Sequence, residues 1–186
     1  SCPTAEQGQW LPGPGSKLFE AIERSLGKLP IVAEDLGLIT QDVIELRDQF
    51  DFPGMKILQF GFSTDENDGF LPHNWEPNFV AYTGTHDNDT VRGWWQNASE
   101  NERNYAATYL NANAENIHWA MIRSCSHSVA NIVIFPLQDV LGLDEKHRMN
   151  IPGTVGPHNW TWRFEWDWID VDITKSLALI TTESRR

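Results

Sequence analysis

An α/β fold built on parallel strands is what this sequence predicts, and three features point to it. Short apolar runs alternate along the chain with stretches of helical periodicity. The runs are nearly continuous in apolar residues rather than alternating with polar ones, as strands covered on both faces are. Each run stops abruptly at carboxylate, amide or imidazole side chains. In parallel architectures, that is where the carboxyl ends of the strands carry a site. Four such strand–loop–helix units suit either an open doubly wound sheet or part of a (β/α)₈ barrel.

The elements follow in order. Residues 1–14 are rich in Pro and Gly and read as loop. Leu18, Phe19, Ile22 and Leu26 share a helical face, and Gly27 supplies the stop. LPIVAEDLG (29–37) is the first strand run, closing on Glu34 and Asp35. Thr40 is the expected N-cap of a helix through Val43, Leu46 and Phe50. Pro53-Gly54 marks a turn into the second run, MKILQF (55–60), and 61–78 reads as a long loop. NFVAYTG (78–84) is the third run and ends in THDNDT. Helices are expected from near Asp89 past Trp95, over 100–112 and over 114–124. Asn131 to Phe135 is the fourth run, followed by a short helical turn and a loop over 143–161. Residues 162–168 fit no element, and 172–181 read as a last helix. There is no close repeat, no low-complexity tract and no dividing linker, so residues 1–186 are expected to form part of a single domain.

Composition narrows the function. With 40% hydrophobic and 22% charged residues among 186, the chain can bury a core. A net charge of −12 repels phosphate backbones, which argues against a nucleic-acid partner. No run approaches the ~18 apolar residues of a membrane span, and the first ten residues lack the basic and apolar regions of a signal peptide. Cys2 and Cys125 make neither a metal spacing nor a disulfide framework, so a reducing compartment is expected. The nine tryptophans serve either core packing or sugar stacking, because an indole face matches the apolar face of a pyranose.

The residues just past the runs carry the chemistry: Glu34 and Asp35, Gln59, His86 and Asp87, Gln138 and Asp139. Convergent carboxylates at such a rim suit acid–base work on a glycosidic bond. They equally suit helix capping or pairing with Arg. THDND (85–89) could be read as a metal site, but no second cluster has ligand spacing, and no metal or cofactor is expected. No Ser stands in a nucleophile elbow, and no Gly-rich loop would cradle phosphate.

Longer strings are more specific. AEDLG with IT-x-DV-x-x-LRD (33–48), PGMKILQF (53–60), YTGTHDNDT-x-x-GWW (82–95) and QDVLGL…RMN-x-PGT…NW-x-WR (138–163) stand in one order along the chain. The ordered set resembles the 4-α-glucanotransferases of glycoside hydrolase family 77, and it nearly spans the sequence. The resemblance implies a (β/α)₈ barrel, with strands five to eight represented here. It implies retaining transfer of α-1,4-glucan segments between maltooligosaccharides, starch- or glycogen-derived glucans and glucose. Glu34 then matches the general acid/base and Asp87 the transition-state stabiliser, with His86 on the same sugar. Asn150 falls at the pocket wall and Phe60 is a candidate for ring stacking. Asp35 has the plainer role of structural hydrogen bonding behind Glu34.

One departure matters. The family's nucleophile is an Asp in an arginine-containing motif at the end of strand four, and these residues contain no such motif. The expectation is a C-terminal portion of the barrel, inactive alone, with the N-terminal half as a possible partner. Bacterial cytoplasm is the expected compartment, with the plastid stroma as the alternative. Two other readings stay open: an α-amylase-type hydrolase, and a non-catalytic maltooligosaccharide-binding protein.

Overall fold

The computed structural model describes residues 7–9, 11–37, 39–62 and 69–186. The expected loops over 1–14 and 61–78 therefore lie partly outside the described residues. The chain divides into two compact units, Ser1–Pro53 and Gly54–Arg186.

The first unit carries two helices, α1 (Ser16–Leu26) and α2 (Gln41–Gln49). Gly27 ends α1 at φ 76°, a conformation that favours a residue without Cβ, and its N–H donates to the Glu23 carbonyl. Thr40 stands at the N-cap of α2 as expected, but its hydroxyl donates to the Asp42 carboxylate and does not cap the backbone. Neither helix contains a buried residue. The unit is held instead by a cluster of Phe19, Phe50 and Phe52, whose ring centroids lie 5.1–5.6 Å apart.

The strand expected at 29–37 does not form among the described residues. Its segment forms no regular element, with Ala33 N donating to the Pro53 carbonyl at 2.8 Å. An apolar run becomes a strand only when a neighbour supplies a ladder, and local sequence cannot report that.

The second unit is built on a three-stranded parallel sheet in the order β1 (Gly54–Ile57), β2 (Phe79–Tyr82), β3 (Ile132–Ile134). Gly54 faces Phe79 and Val80 faces Ile132 in register. The parallel arrangement read from the apolar runs is thus present. Burial is uneven, however. Phe79, Val80 and Ala81 are buried, whereas Ile132 and Ile134 of the outer strand are 46% and 48% exposed.

The expected rhythm fails once more between β1 and β2. Among the described residues that connection holds two short 3₁₀ turns, Leu58–Phe62 and Pro72–Asn74, and no α-helix. The crossover from β2 to β3 carries three helices: α3 (Val91–Asn97), α4 (Glu100–Leu110) and α5 (Ile117–Ser126). Each boundary has a local cause. Thr90 caps α3 by accepting from Gly93 N, and Ser99 with Glu102 forms a full capping box for α4. Asn111 closes α4 in the left-handed region at φ 49°. Beyond β3 come α6 (Leu137–Val140) and α7 (Val171–Glu183), the latter capped by Asp170. Residues 162–168, which fit no element from sequence, contain only a 3₁₀ turn at Trp166–Trp168.

The core lies between the sheet and α3–α5. Leu58, Phe62, Leu71, Ile117, Met121 and Cys125 are fully buried there. Burial pushes the Cys125 thiol far above its ordinary value, which keeps it protonated. A second cluster joins Ile122 of α5, Val140 of α6 and Ile180 of α7. Arg186 fastens the end of the chain, donating through Nε to Ser126 O and through Nη2 to Ser128 O. No described helix is long and apolar enough to cross a membrane.

Candidate active site

The site of the second unit starts at the carboxyl end of β2. Thr83 is fully buried and donates through Oγ1 to Asp139 Oδ2 at 2.5 Å. The other carboxylate oxygen of Asp139 accepts from Val91 N at 2.7 Å, the first residue of α3. One buried side chain from α6 thus ties both ends of the segment 83–91. Burial raises the Asp139 carboxyl to about 6, although both hydrogen bonds oppose the shift.

Within this frame the turn is set locally. Asn88 Oδ1 accepts from Thr85 N at 2.9 Å and from Thr85 Oγ1 at 2.8 Å. Gln59, just past β1, donates through Nε2 to Asp89 O at 2.9 Å. It passes Gly84 so closely that a Cβ there would stand 2.7 Å from its amide nitrogen, so a side chain at 84 would push Gln59 off its bond to Asp89 O. The outcome is that His86 and Asp87 project at the strand rim with their side chains each 52% exposed, His86 Nε2 lying 3.4 Å from Asp87 Oδ1.

The loop after α6 closes on this pair. Gln138 Nε2 donates to His147 O at 3.2 Å, and Trp160 N donates to Met149 O at 2.7 Å, folding 149–160 back on itself. Asn150 Nδ2 donates to Asp87 Oδ1 at 2.7 Å. Arg148 Nη2 donates to Asp87 O at 2.9 Å, and its Nη1 lies 3.7 Å from Asp89 Oδ2. The Trp160 ring sits 5.0 Å from that of His86. Asp89 is largely enclosed: burial raises its carboxyl, partly offset by the charge of Arg148, and its Oδ1 is buried without a hydrogen bond.

His86, Asp87 and Asn150 are therefore brought together. Phe60 is 41% exposed past β1 and packs edge-to-face on Phe70 at 5.3 Å. Glu34 belongs to the first unit and is exposed, outside any helix or strand. Beside it, Asp35 takes the structural role expected of it, with Oδ2 accepting from Arg47 Nη1 at 2.5 Å and little of either side chain exposed. The tryptophans divide: Trp75 is buried, Trp94 and Trp95 pack on the core, and Trp160 and Trp166 are 57% and 77% exposed. Among the described residues no group of three His, Cys, Asp or Glu side chains is placed to hold a metal ion.

Sequence reasoning missed Arg148 and the inward role of Asp139. Both stand inside quoted motifs, RMN and QDV. A charged residue embedded in a motif with no assigned chemistry was the available signal.

A parallel sheet with a His–Asp pair held open past the carboxyl end of its central strand defines a class: an α/β protein with a rim site. The family is narrower. The model of 4-alpha-glucanotransferases, glycoside hydrolase family 77, matches residues 1–169, and the chain belongs to that family. It is 51% identical over 181 residues to a 4-alpha-glucanotransferase of Synechocystis, covering 96% of this chain and 36% of that protein. It is 46% identical over 183 residues to the chloroplastic/amyloplastic 4-alpha-glucanotransferase of Solanum tuberosum, covering 96% of this chain and 32% of that protein. Among solved structures, the amylomaltase of Streptococcus agalactiae in complex with acarbose superposes with a TM-score of 0.93 at 38% identity, over 100% of this chain and 38% of that one. The chain thus spans about a third of the length of the relatives it matches.

Proposed function

We propose that residues 1–186 are the C-terminal part of a single catalytic (β/α)₈ barrel that transfers α-1,4-glucan segments to the 4-hydroxyl of glucose or a maltooligosaccharide, with retention. The observation that carries this reading is the uninterrupted family match over residues 1–169. Glu34 and Asp87 both fall inside it, in intact motif context.

In this reading Glu34 gives its proton to the leaving glycosidic oxygen while a carboxylate outside these residues attacks the anomeric carbon. Glu34, now ionised, then takes the proton of the acceptor hydroxyl as that oxygen displaces the enzyme carboxylate. Asp87 accepts hydrogen bonds from ring hydroxyls of the distorted sugar, and these strengthen in the transition state. His86 and Asn150 border that sugar, and Phe60 offers a stacking face. The ligands are maltooligosaccharides and starch- or glycogen-derived glucans, consistent with the acarbose held by the Streptococcus relative. Both compartments fit, the cytoplasm of a bacterium or a plastid stroma, since bacterial and chloroplastic proteins are among the relatives.

Incubation with maltotriose tests the reading. The chain alone is expected to release neither glucose nor longer oligomers, because it supplies no nucleophile motif. Co-expressed with the N-terminal portion of the Synechocystis relative, it is expected to produce both, and Glu34→Gln in the pair is expected to abolish them. Transfer that survives Glu34→Gln overturns the assignment of Glu34. Shortening of the substrate without elongation would favour a hydrolase.

A further inference from the structure

Asp87 is half exposed, and an exposed carboxylate on a turn ordinarily samples several rotamers, at a cost to any task that needs one of them. The structure answers this with groups from 61 and 63 residues further along the chain. Arg148 spreads its three nitrogens over three targets. Nη2 donates to the main-chain oxygen of Asp87 at 2.9 Å, Nε donates to the main-chain oxygen of Asn150 at 3.2 Å, and Nη1 faces Asp89 Oδ2 at 3.7 Å. The guanidinium fork is planar and rigid, so two backbone segments bound to it are fixed relative to each other. The effect is that the Asn150 amide meets Asp87 Oδ1 at 2.7 Å. Oδ2 of Asp87 makes no hydrogen bond among the described residues and remains for a ligand.

We propose that Arg148 is a positioning residue: it registers the 148–150 segment against the 85–89 turn so that Asn150 fixes the rotamer of Asp87 and commits one carboxylate oxygen, leaving the other to a sugar hydroxyl. Its use for a sugar rests on the function proposed above; the positioning itself does not. All three Arg148 side-chain nitrogens are directed at protein oxygens. Lysine keeps the charge but cannot span the two carbonyls with one planar fork, and glutamine loses the charge as well. The Asp89 carboxylate, already enclosed, then loses its cation, so Arg148→Gln strains the turn further.

The test follows the side-chain amide protons of Asn150 by ¹⁵N NMR in the intact chain, with Asp87→Ala as the reference lacking the acceptor. In the parent one amide proton is expected to be shifted and protected by the bond to Asp87. Arg148→Gln is expected to move that signal to the Asp87→Ala position, and Arg148→Lys to leave it between the two. With each protein co-expressed with the N-terminal portion of the Synechocystis relative, maltoheptaose affinity by calorimetry is expected to fall about tenfold in Arg148→Gln, the scale of one charge-assisted hydrogen bond, with partial recovery in Arg148→Lys. An Asn150 signal unchanged in both Arg148 variants overturns the proposal. If no such pair binds maltoheptaose, the glucan reading fails while the amide signal still decides the role of Arg148. Should Arg148→Gln not fold, Arg148→Lys decides alone: a parent-like signal overturns the proposal.

Discussion

Residues 1–53 and 54–186 each place one of the two expected carboxylates, and they support it in contrasting ways. In the first unit neither helix has a buried residue. A ring cluster and the Arg47–Asp35 pair carry the packing, and Glu34 stands exposed outside any helix or strand. In the second unit a sheet and three helices enclose fully buried side chains. Asp87 is gripped through its main chain by Arg148 and through its side chain by Asn150. The contrast teaches that burying a core and fixing a rim residue are linked tasks. The turn that carries Asp87 is rigid because Asp139 beneath it is bound at both ends within a packed interior.

The largest expected effect breaks the second unit. Phe62 is fully buried and its ring meets those of Trp94, Tyr105 and Tyr109. Phe62→Ala is expected to cost about 3–5 kcal/mol through lost burial and the cavity left behind. Urea denaturation followed by tryptophan fluorescence measures it, and a cost below about 1 kcal/mol would show that this core is not what holds the unit.

The next effect is a pH dependence. The folded state raises the Asp139 carboxyl to about 6 from an ordinary value of 3.8, chiefly by burial. A raised carboxyl favours the fold most below about pH 4, and that contribution is lost as pH rises through about 6. In Asp139→Asn the amide oxygen can still accept from Val91 N while the amide nitrogen donates to the Thr83 hydroxyl. Between pH 4 and 7 the parent is therefore expected to lose about 2–3 kcal/mol relative to Asp139→Asn. Denaturation of both proteins across that range checks it, and a pH-independent difference would place the titration elsewhere.

The smallest effect sharpens the comparison from the other side. Asp35→Asn keeps the shape of the pair with Arg47 but removes one charge from a site with little exposure. A loss of about 1–2 kcal/mol is expected, confined to the signals of residues 1–53 in amide hydrogen exchange. Faster exchange spreading to β1 and β2 would contradict that confinement.

How legible each part was follows from where its determinants lie. Helices α3, α4 and α7 could be read because their caps and periodicity are local, as in the Ser99–Glu102 box. Strands β1, β2 and β3 were legible as apolar runs flanked by turn residues. The run at 29–37 has the same signature yet forms no strand, because pairing belongs to two segments and a sequence shows only one. Between β1 and β2 the sequence shows no periodic segment and 61–78 reads as a long loop, so the strand–loop–helix rhythm there came only from the other units. At the site, His86 and Asp87 were visible by their place after a strand, and Asn150 by its motif. That Asn150 would reach Asp87 itself was not visible, since 63 residues separate them and the loop that carries Asn150 folds by side chain–backbone bonds without periodicity. Asp139 looked like another rim carboxylate. Only its direction, inward to Thr83 and Val91, set it apart.

Cys125, enclosed on α5 with its thiol held protonated, has a consequence for kinetics. A buried thiol reacts with an alkylating reagent only after the surrounding helices part. Because the residue lies in the same cluster as Leu58, Phe62 and Met121, that parting amounts to opening the interior of the second unit. The rate at which Cys125 is alkylated in the absence of denaturant therefore counts openings of residues 54–186, and a saturating bound ligand that prefers the closed state would slow it in proportion to its occupancy.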